Sequence, residues 1–307
     1  MGAVIRDGFA VVDKPSGWTS HDVVARCRRF FQTRKVGHAG TLDPMATGVL
    51  VLGIGKGTRL LSHVVGVGKT YEATIRLGHA TDTDDADGNI TSTHDASAVS
   101  DADVAQALAQ LSGTFAQVPS TVSAIKVDGK RAYARVKSGE DVTLKPRTVT
   151  VEWTAVGSLR EVSAAPELRE CDVVVEVSSG TYVRALARDL GEILGVGGHL
   201  TSLRRTRVGK FSLEQASLVS DIEALHDAGV FPPLMTLGRA ASHVMSTLRV
   251  GAQEARALTY GQRPAAPQET PADVPVAIIG PDDSLVAVAQ VDSGNLRPVS
   301  VFQDPGP

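Results

Sequence analysis

Residues 37–51 read Gly-His-Ala-Gly-Thr-Leu-Asp-Pro-Met-Ala-Thr-Gly-Val-Leu-Val and place one carboxylate, Asp43, before a proline in a glycine-rich loop. Taken alone, an aspartate in that setting is first a turn residue, and a catalytic carboxylate is the minority reading. Other chemistries lack a carrier. Gly66-Val67-Gly68-Lys69-Thr70 ends like a phosphate-binding loop, but the first glycine of that pattern would fall at His63. Gly53, Gly55 and Gly57 miss the dinucleotide spacing, and no Gly-x-Ser-x-Gly elbow occurs. The eight histidines include no pair at metal-ligand spacing, and two cysteines, Cys27 and Cys171, are too few for a disulfide framework or a zinc site.

The elements around Asp43 are legible. Residues 9–12 read as a short strand entering the turn Lys14-Pro15-Ser16-Gly17. A helix capped by Ser20 follows, because Val23, Val24, Cys27, Phe30 and Phe31 recur at helical spacing. The loop of Asp43 then feeds an apolar strand over 48–54, a helix over 58–65 and a strand over 70–77. Ser100 caps a helix with Val104, Leu108 and Leu111 on its core face, ended by Gly113. Asp128-Gly129 signals a hairpin within 123–133. Strands follow near 147–156 and 171–178, then a helix over 181–194 and a strand over 203–211. Strands and helices mix without βαβ regularity, which predicts an α+β fold. The pattern breaks at Phe231-Pro232-Pro233, and short strands over 276–279 and 285–291 follow a proline-rich loop.

With 307 residues the chain can form a large core and a small second domain, since single cores stop growing near roughly 250–300 residues. A hydrophobic fraction of 42% with 21% charged residues fits a globular protein and excludes a disordered one. Lys56 and Arg59 interrupt the longest apolar stretch, so no membrane helix is expected. The N-terminus carries neither a signal peptide nor a myristoylation signal, and a reducing, cytoplasmic location is expected. A net charge of -3 argues against a strongly basic nucleic-acid binder. Basic residues nevertheless cluster at 26–35, 126–147 and 204–210, while acid collects at Asp82, Asp84, Asp85 and Asp87. Three basic clusters together favour RNA more than any one does.

The string 37–50 matches the pattern G-H-x-G-x-L-D-P-x-A-x-G-x-L throughout, and so resembles the aspartate motif of the TruB family of pseudouridine synthases. Further motifs occur in the family's order between about 8 and 213. They are Val12-Asp13-Lys14-Pro15 with Gly17, Lys69-Thr70-Tyr71 followed by Leu77-Gly78 and Thr81-Asp82-Thr83-Asp84, Pro119-Ser120 with Ser123-Ala124-Ile125-Lys126, Ser179-Gly180-Thr181-Tyr182-Val183-Arg184, and Leu203-Arg204-Arg205-Thr206.

The resemblance implies a mixed, largely antiparallel sheet in a catalytic domain over 1–234 and a small β-rich, PUA-like RNA-binding domain over 238–307. It implies an isomerase that converts uridine 55 in the T-loop of tRNA to pseudouridine, as a monomer, with no cofactor and no metal. Asp43 would be the catalytic carboxylate, suited to meeting positive charge at a sugar carbon. Arg184 would offset the burial that pushes that carboxylate's pKa up. Tyr71 would stack on the base and handle the C5 proton, although a tyrosine at a strand start is otherwise core packing. His38 and Tyr182 would line the pocket of a flipped nucleotide, and Lys14 and Lys126 would bind substrate. Two alternatives stand beside this reading. One is a guide-RNA-dependent synthase subunit, disfavoured by the absence of basic tails; the other is an RNA-binding or RNA-folding module, disfavoured by an aspartate that binding to a polyanion does not need.

Overall fold

The computed structural model describes residues 7–121, 126–127, 130–131 and 144–303. The chain divides into two compact units, one of residues 1–44, 48–67 and 208–307 and the other of residues 45–47 and 68–207.

The first unit begins with β1 (Gly8–Lys14), α1 (Ser20–Phe30), β2 (Val36–Ala39), β3 (Thr47–Ile54) and α2 (Leu61–Val65). β3 runs antiparallel to β1, with Val12 opposite Leu50, and antiparallel to β2, with His38 opposite Leu52. Its residues are almost all buried because it is covered on both faces. Leu50, Leu52 and Ile54 pack with Val23, Val24, Cys27 and Phe30 of α1, while Val49 and Val51 face a second cluster with Phe9, Val11, Leu60 and Phe211. The apolar stripe expected for α1 is therefore its core face. Its cap is Thr19 rather than Ser20: Thr19 accepts from the Asp22 amide and Asp22 accepts from the Thr19 amide, a reciprocal box that adds about 1 kcal/mol. The helix expected over 58–65 is split into a 3-10 turn, Gly55–Leu60, and α2. Gly55 takes a left-handed φ of 59°, and a Cβ at Gly57 would collide with the Gly8 carbonyl, so close backbone approach replaces regular helix there.

The later part of this unit forms a four-stranded sheet in the order Thr247–Arg249, Val276–Ile279, Leu285–Asp292, Asn295–Val301. Ala240, Ala241, Ile279, Leu285, Val288 and Phe302 share one cluster with Phe9, Val11, Val49 and Val51. Lys56 donates to the Phe302 carbonyl at 2.9 Å and Arg59 to the Val301 carbonyl at 2.7 Å. The segment after Pro233 is thus seated on β1 and β3 through apolar packing.

The second unit contains β4 (Lys69–Leu77), α3 (Asp101–Gln110), β5 (Gly113–Gln117), β6 (Arg147–Val156), β7 (Ala165–Val177), α4 (Val183–Ile193) and β8 (Gly198–Val208). Its sheet runs β8-β4-β7-β6-β5, with antiparallel registers from β4 to β5 such as Tyr71 opposite Val175. Parallel pairs occur at Ser217–Leu218 on β1 and Thr247–Arg249 on Val276–Ile279, so the expected mixed, largely antiparallel α+β architecture is what the chain forms. Ser100 caps α3 with Asp103, as expected. α4 packs on α3 and β4, burying Ala185, Leu186, Ala187 and Leu190. Lys126–Val127 and Lys130–Arg131 pair antiparallel, as a hairpin requires, while Asp128 and Gly129 lie outside the described residues. Among the described residues, no helix is long and apolar enough to cross a membrane.

Candidate active site

Asp43 lies partly exposed in the irregular segment between β2 and β3. The peptides on both sides of it are gripped. On one side the Ser20 hydroxyl accepts from the Leu42 amide at 2.9 Å and donates to the Leu42 carbonyl at 3.1 Å. Thr19 has taken the capping role, which leaves the Ser20 hydroxyl for this loop. On the other side the Pro44 carbonyl accepts from the Gly17 amide at 2.8 Å and from Lys14 Nζ at 3.2 Å. Lys14 is 0% exposed, and its ammonium also donates to the carbonyls of Pro15 and Trp18 at 2.8 and 2.7 Å. A buried ammonium is costly unless its three donors are met, and here three carbonyls meet them. Lys14, expected to touch substrate, thus has the geometry of an inward brace. The Lys-Pro turn and the start of α1 fix the backbone that presents Asp43.

His38 stands on β2, half-buried, with its ring edge-on to His21 at 5.5 Å between centroids and an interplanar angle of 80°. That contact fixes the plane of the His38 ring against α1.

In the second unit Arg184 is the second residue of α4 and is buried. Its Nη1 donates to the Thr83 carbonyl at 2.6 Å and lies 3.3 Å from the Asp85 carboxylate. Asp85 is itself fixed, because its Oδ1 accepts from the Thr83 hydroxyl at 2.5 Å and the Asp87 amide at 3.1 Å. Next to it, Asp84 has a left-handed φ of 61° and its carbonyl accepts from the Leu200 amide. Burial pushes the Asp84 carboxyl up, against the opposing pull of Arg188 and Arg184. In the sequence these acids stand apart from the basic clusters. Asp85 is a functional candidate that the motifs leave out, and its available signal is its place directly after Thr81-Asp82-Thr83-Asp84.

Tyr71 is buried on the face of β4 that also carries Lys69, two residues earlier. Burial, with Arg205 nearby, brings the Lys69 ammonium down to about 8. Tyr182 is half-buried at the N-cap of α4, where its amide and carbonyl are both held by the Gln117 side chain. Lys126 lies on a described strand, but its side chain is outside the described residues. No group of three His, Cys, Asp or Glu among the described residues is arranged to hold a metal.

Two family models match consecutive parts of the chain. The model of the TruB family pseudouridylate synthase N-terminal domain covers residues 28–183, and that of the tRNA pseudouridylate synthase B C-terminal domain covers residues 184–231. The tRNA pseudouridine synthase B of Arthrobacter sp. (strain FB24) is 53% identical over 305 residues, covering 96% of both chains. The protein of that name from Corynebacterium aurimucosum is 54% identical over 258 residues, 84% of both chains. Among solved structures, a chain of an H/ACA RNP bound to a substrate RNA containing 2'-deoxyuridine superposes with a TM-score of 0.72 at 25% identity, covering 98% of this chain and 86% of that one. A Cbf5-Nop10-Gar1 complex gives 0.72 at 26% identity with the same coverage. By family models that together span most of its length and by relatives more than half identical to it, the chain belongs to the TruB family of pseudouridylate synthases.

Proposed function

We propose that this synthase isomerises uridine 55 in the T-loop of tRNA to pseudouridine, with Asp43, Tyr71 and Arg184 as catalytic residues. Near-full-length similarity to proteins named tRNA pseudouridine synthase B carries the reading. The C1′–N1 bond breaks with its electron pair leaving on uracil N1. The Asp43 carboxylate stabilises or captures the positive charge left at C1′. The freed base turns, C5 bonds to C1′, the C5 proton leaves with help from Tyr71, and N1 ends protonated. Atoms and electrons balance within the nucleotide, so the chemistry requires no cofactor or metal. Arg184, anchored by Asp85, contributes a buried positive charge to this chemistry.

A stacked uridine must be extruded first, at a cost of a few kcal/mol. The rings of His38 and Tyr182 are the groups suited to fill and line the space, and Lys126 with its basic neighbours suits backbone phosphates. Residues 1–234 form the catalytic domain in this reading, and 238–307 act as a PUA-like RNA grip. The enzyme acts as a cytoplasmic monomer. Guide-RNA-dependent action has the weaker support, 25% identity to a chain of an H/ACA particle against 53% to a tRNA pseudouridine synthase B. The test is tritium release from a tRNA transcript carrying uridine labelled at C5. About one equivalent of released label per tRNA supports isomerisation, and no release above background refutes it.

A further inference from the structure

Residues 117–120 leave β5 as Gln-Val-Pro-Ser, and none has a role in the chemistry above. Gln117 is 2% exposed and directs its whole amide to the main chain of Tyr182: Nε2 donates to the carbonyl at 3.0 Å and Oε1 accepts from the amide at 2.9 Å. Tyr182 is the N-cap of α4 and provides no side-chain cap; its carbonyl also receives the Leu186 amide at 3.2 Å. An uncapped helix start frays unless its entry peptide is held from outside. Gln117 supplies that hold two residues before Arg184.

One turn along α4, Arg188 repeats the pattern. Its Nη2 donates to the Val118 carbonyl at 2.8 Å, and its Nη1 lies 3.4 Å from the Asp84 carboxylate. Asp189 accepts from Arg188 Nε and Nη2 at 2.9 and 2.7 Å, which fixes the plane of the guanidinium. Arg184 and Arg188 are four residues apart on one helix face, and Asp85 and Asp84 are adjacent in one turn. The helix therefore grips the acidic turn at two points, and residues 117–118 are tied to the helix beside each of them.

We propose that Gln117 and Arg188 are positioning residues of the isomerisation, holding the first turn of α4 and the Asp84-Asp85 turn in the relation that aims Arg184. The proposal rests on the reading that Arg184 serves catalysis. Gln117 is buried and its amide committed, so it has nothing to offer RNA. Arg188, 19% exposed at its side chain, directs its donors to protein oxygens. Substitution should therefore lower the chemical rate and spare affinity.

The test uses the full-length protein and an unmodified tRNA transcript, with single-turnover tritium release, filter-binding Kd at fixed salt and a thermal midpoint for each variant. The variants are Gln117→Met and Arg188→Met, with Gln117→Glu and Arg188→Lys as milder partners in case a Met variant does not fold. Gln117→Glu keeps the acceptor for the Tyr182 amide, and Arg188→Lys keeps the charge facing Asp84. Rates lowered about tenfold or more by Met, less by the milder partners, with Kd within about threefold, would support the proposal. Folded variants with rates within about twofold of the parent would overturn it, even with a lowered midpoint. Parallel losses of rate and affinity would also overturn it, by making the pair part of the RNA-binding surface. A parent protein that releases no tritium would instead sink the functional reading, and the proposal with it.

Discussion

Around Asp43 the flanking peptides are held by a hydroxyl, an amide and a lysine aimed at carbonyls, whereas Arg184 is held by a buried carboxylate and a main-chain oxygen. The first arrangement fixes a backbone and leaves the carboxylate partly exposed; the second fixes the charged group itself. In the proposed chemistry Asp43 needs room for a sugar carbon to approach, which suits a carboxylate aimed through its backbone. A group that supplies a field works from burial, where the local dielectric is low and each charge counts for more.

The comparison can be broken at four points, taken from the largest expected effect to the smallest. Asp43→Asn keeps size and removes the charge, so single-turnover tritium release should fall at least about a thousandfold with tRNA affinity within about threefold. An equal loss of binding, measured by filter retention, would make Asp43 structural. Asp85→Asn leaves Arg184 without its carboxylate and should slow turnover about a hundredfold. It should also destabilise the fold by up to about 3–5 kcal/mol in urea unfolding, because a buried cation loses a carboxylate 3.3 Å away. A fully active Asp85→Asn would free Arg184 from this turn.

Lys14→Met takes the ammonium from three carbonyls, and a loss of about 1–3 kcal/mol is expected in urea melts. Turnover should fall about tenfold through displacement of the Pro44 peptide, with tRNA affinity unchanged. A large loss of affinity instead would return Lys14 to the RNA surface.

The smallest effect concerns Lys69. Its folded pKa, about 8, is below the ordinary 10.5, so between these values the unfolded chain binds more protons than the folded one. Stability from this group therefore rises as pH increases from about 8 to about 10.5 and is flat below about 8. In melts across that window, Lys69→Met should remove part of the rise seen in the parent. An unchanged difference between the two proteins across the window would show that Lys69 is not desolvated.

Much of this was readable from residue types. The α1 stripe, the Ser100 cap and the apolar strand after Asp43 are local patterns, and the structure has each of them. The Thr19 cap is hidden, because serine is the better N-cap of the two and the choice depends on Ser20 meeting Leu42, 22 residues away. The setting of Lys14 depends on distant residues in the same way. A lysine beside a proline turn looks exposed until the Pro44 carbonyl, 30 residues on, closes over it. The Asp85 and Arg184 pair is separated by 99 residues and leaves no periodic trace. The pattern breaks at Pro232-Pro233, and what the sequence leaves unsaid there is that Phe9 and Met235 exchange two main-chain bonds and that Ile279, Leu285 and Phe302 complete the cluster around Phe9. Composition marks a linker; it cannot show which apolar face the following residues cover.

The central claim is that Asp43 converts one uridine in the T-loop. Its most direct measurement is carbodiimide-stop primer extension on an unmodified tRNA transcript, run in parallel with the parent protein and Asp43→Asn. The account predicts a single stop at the T-loop uridine with the parent and none with Asp43→Asn. No stop with the parent, or a stop that survives in Asp43→Asn, would contradict it.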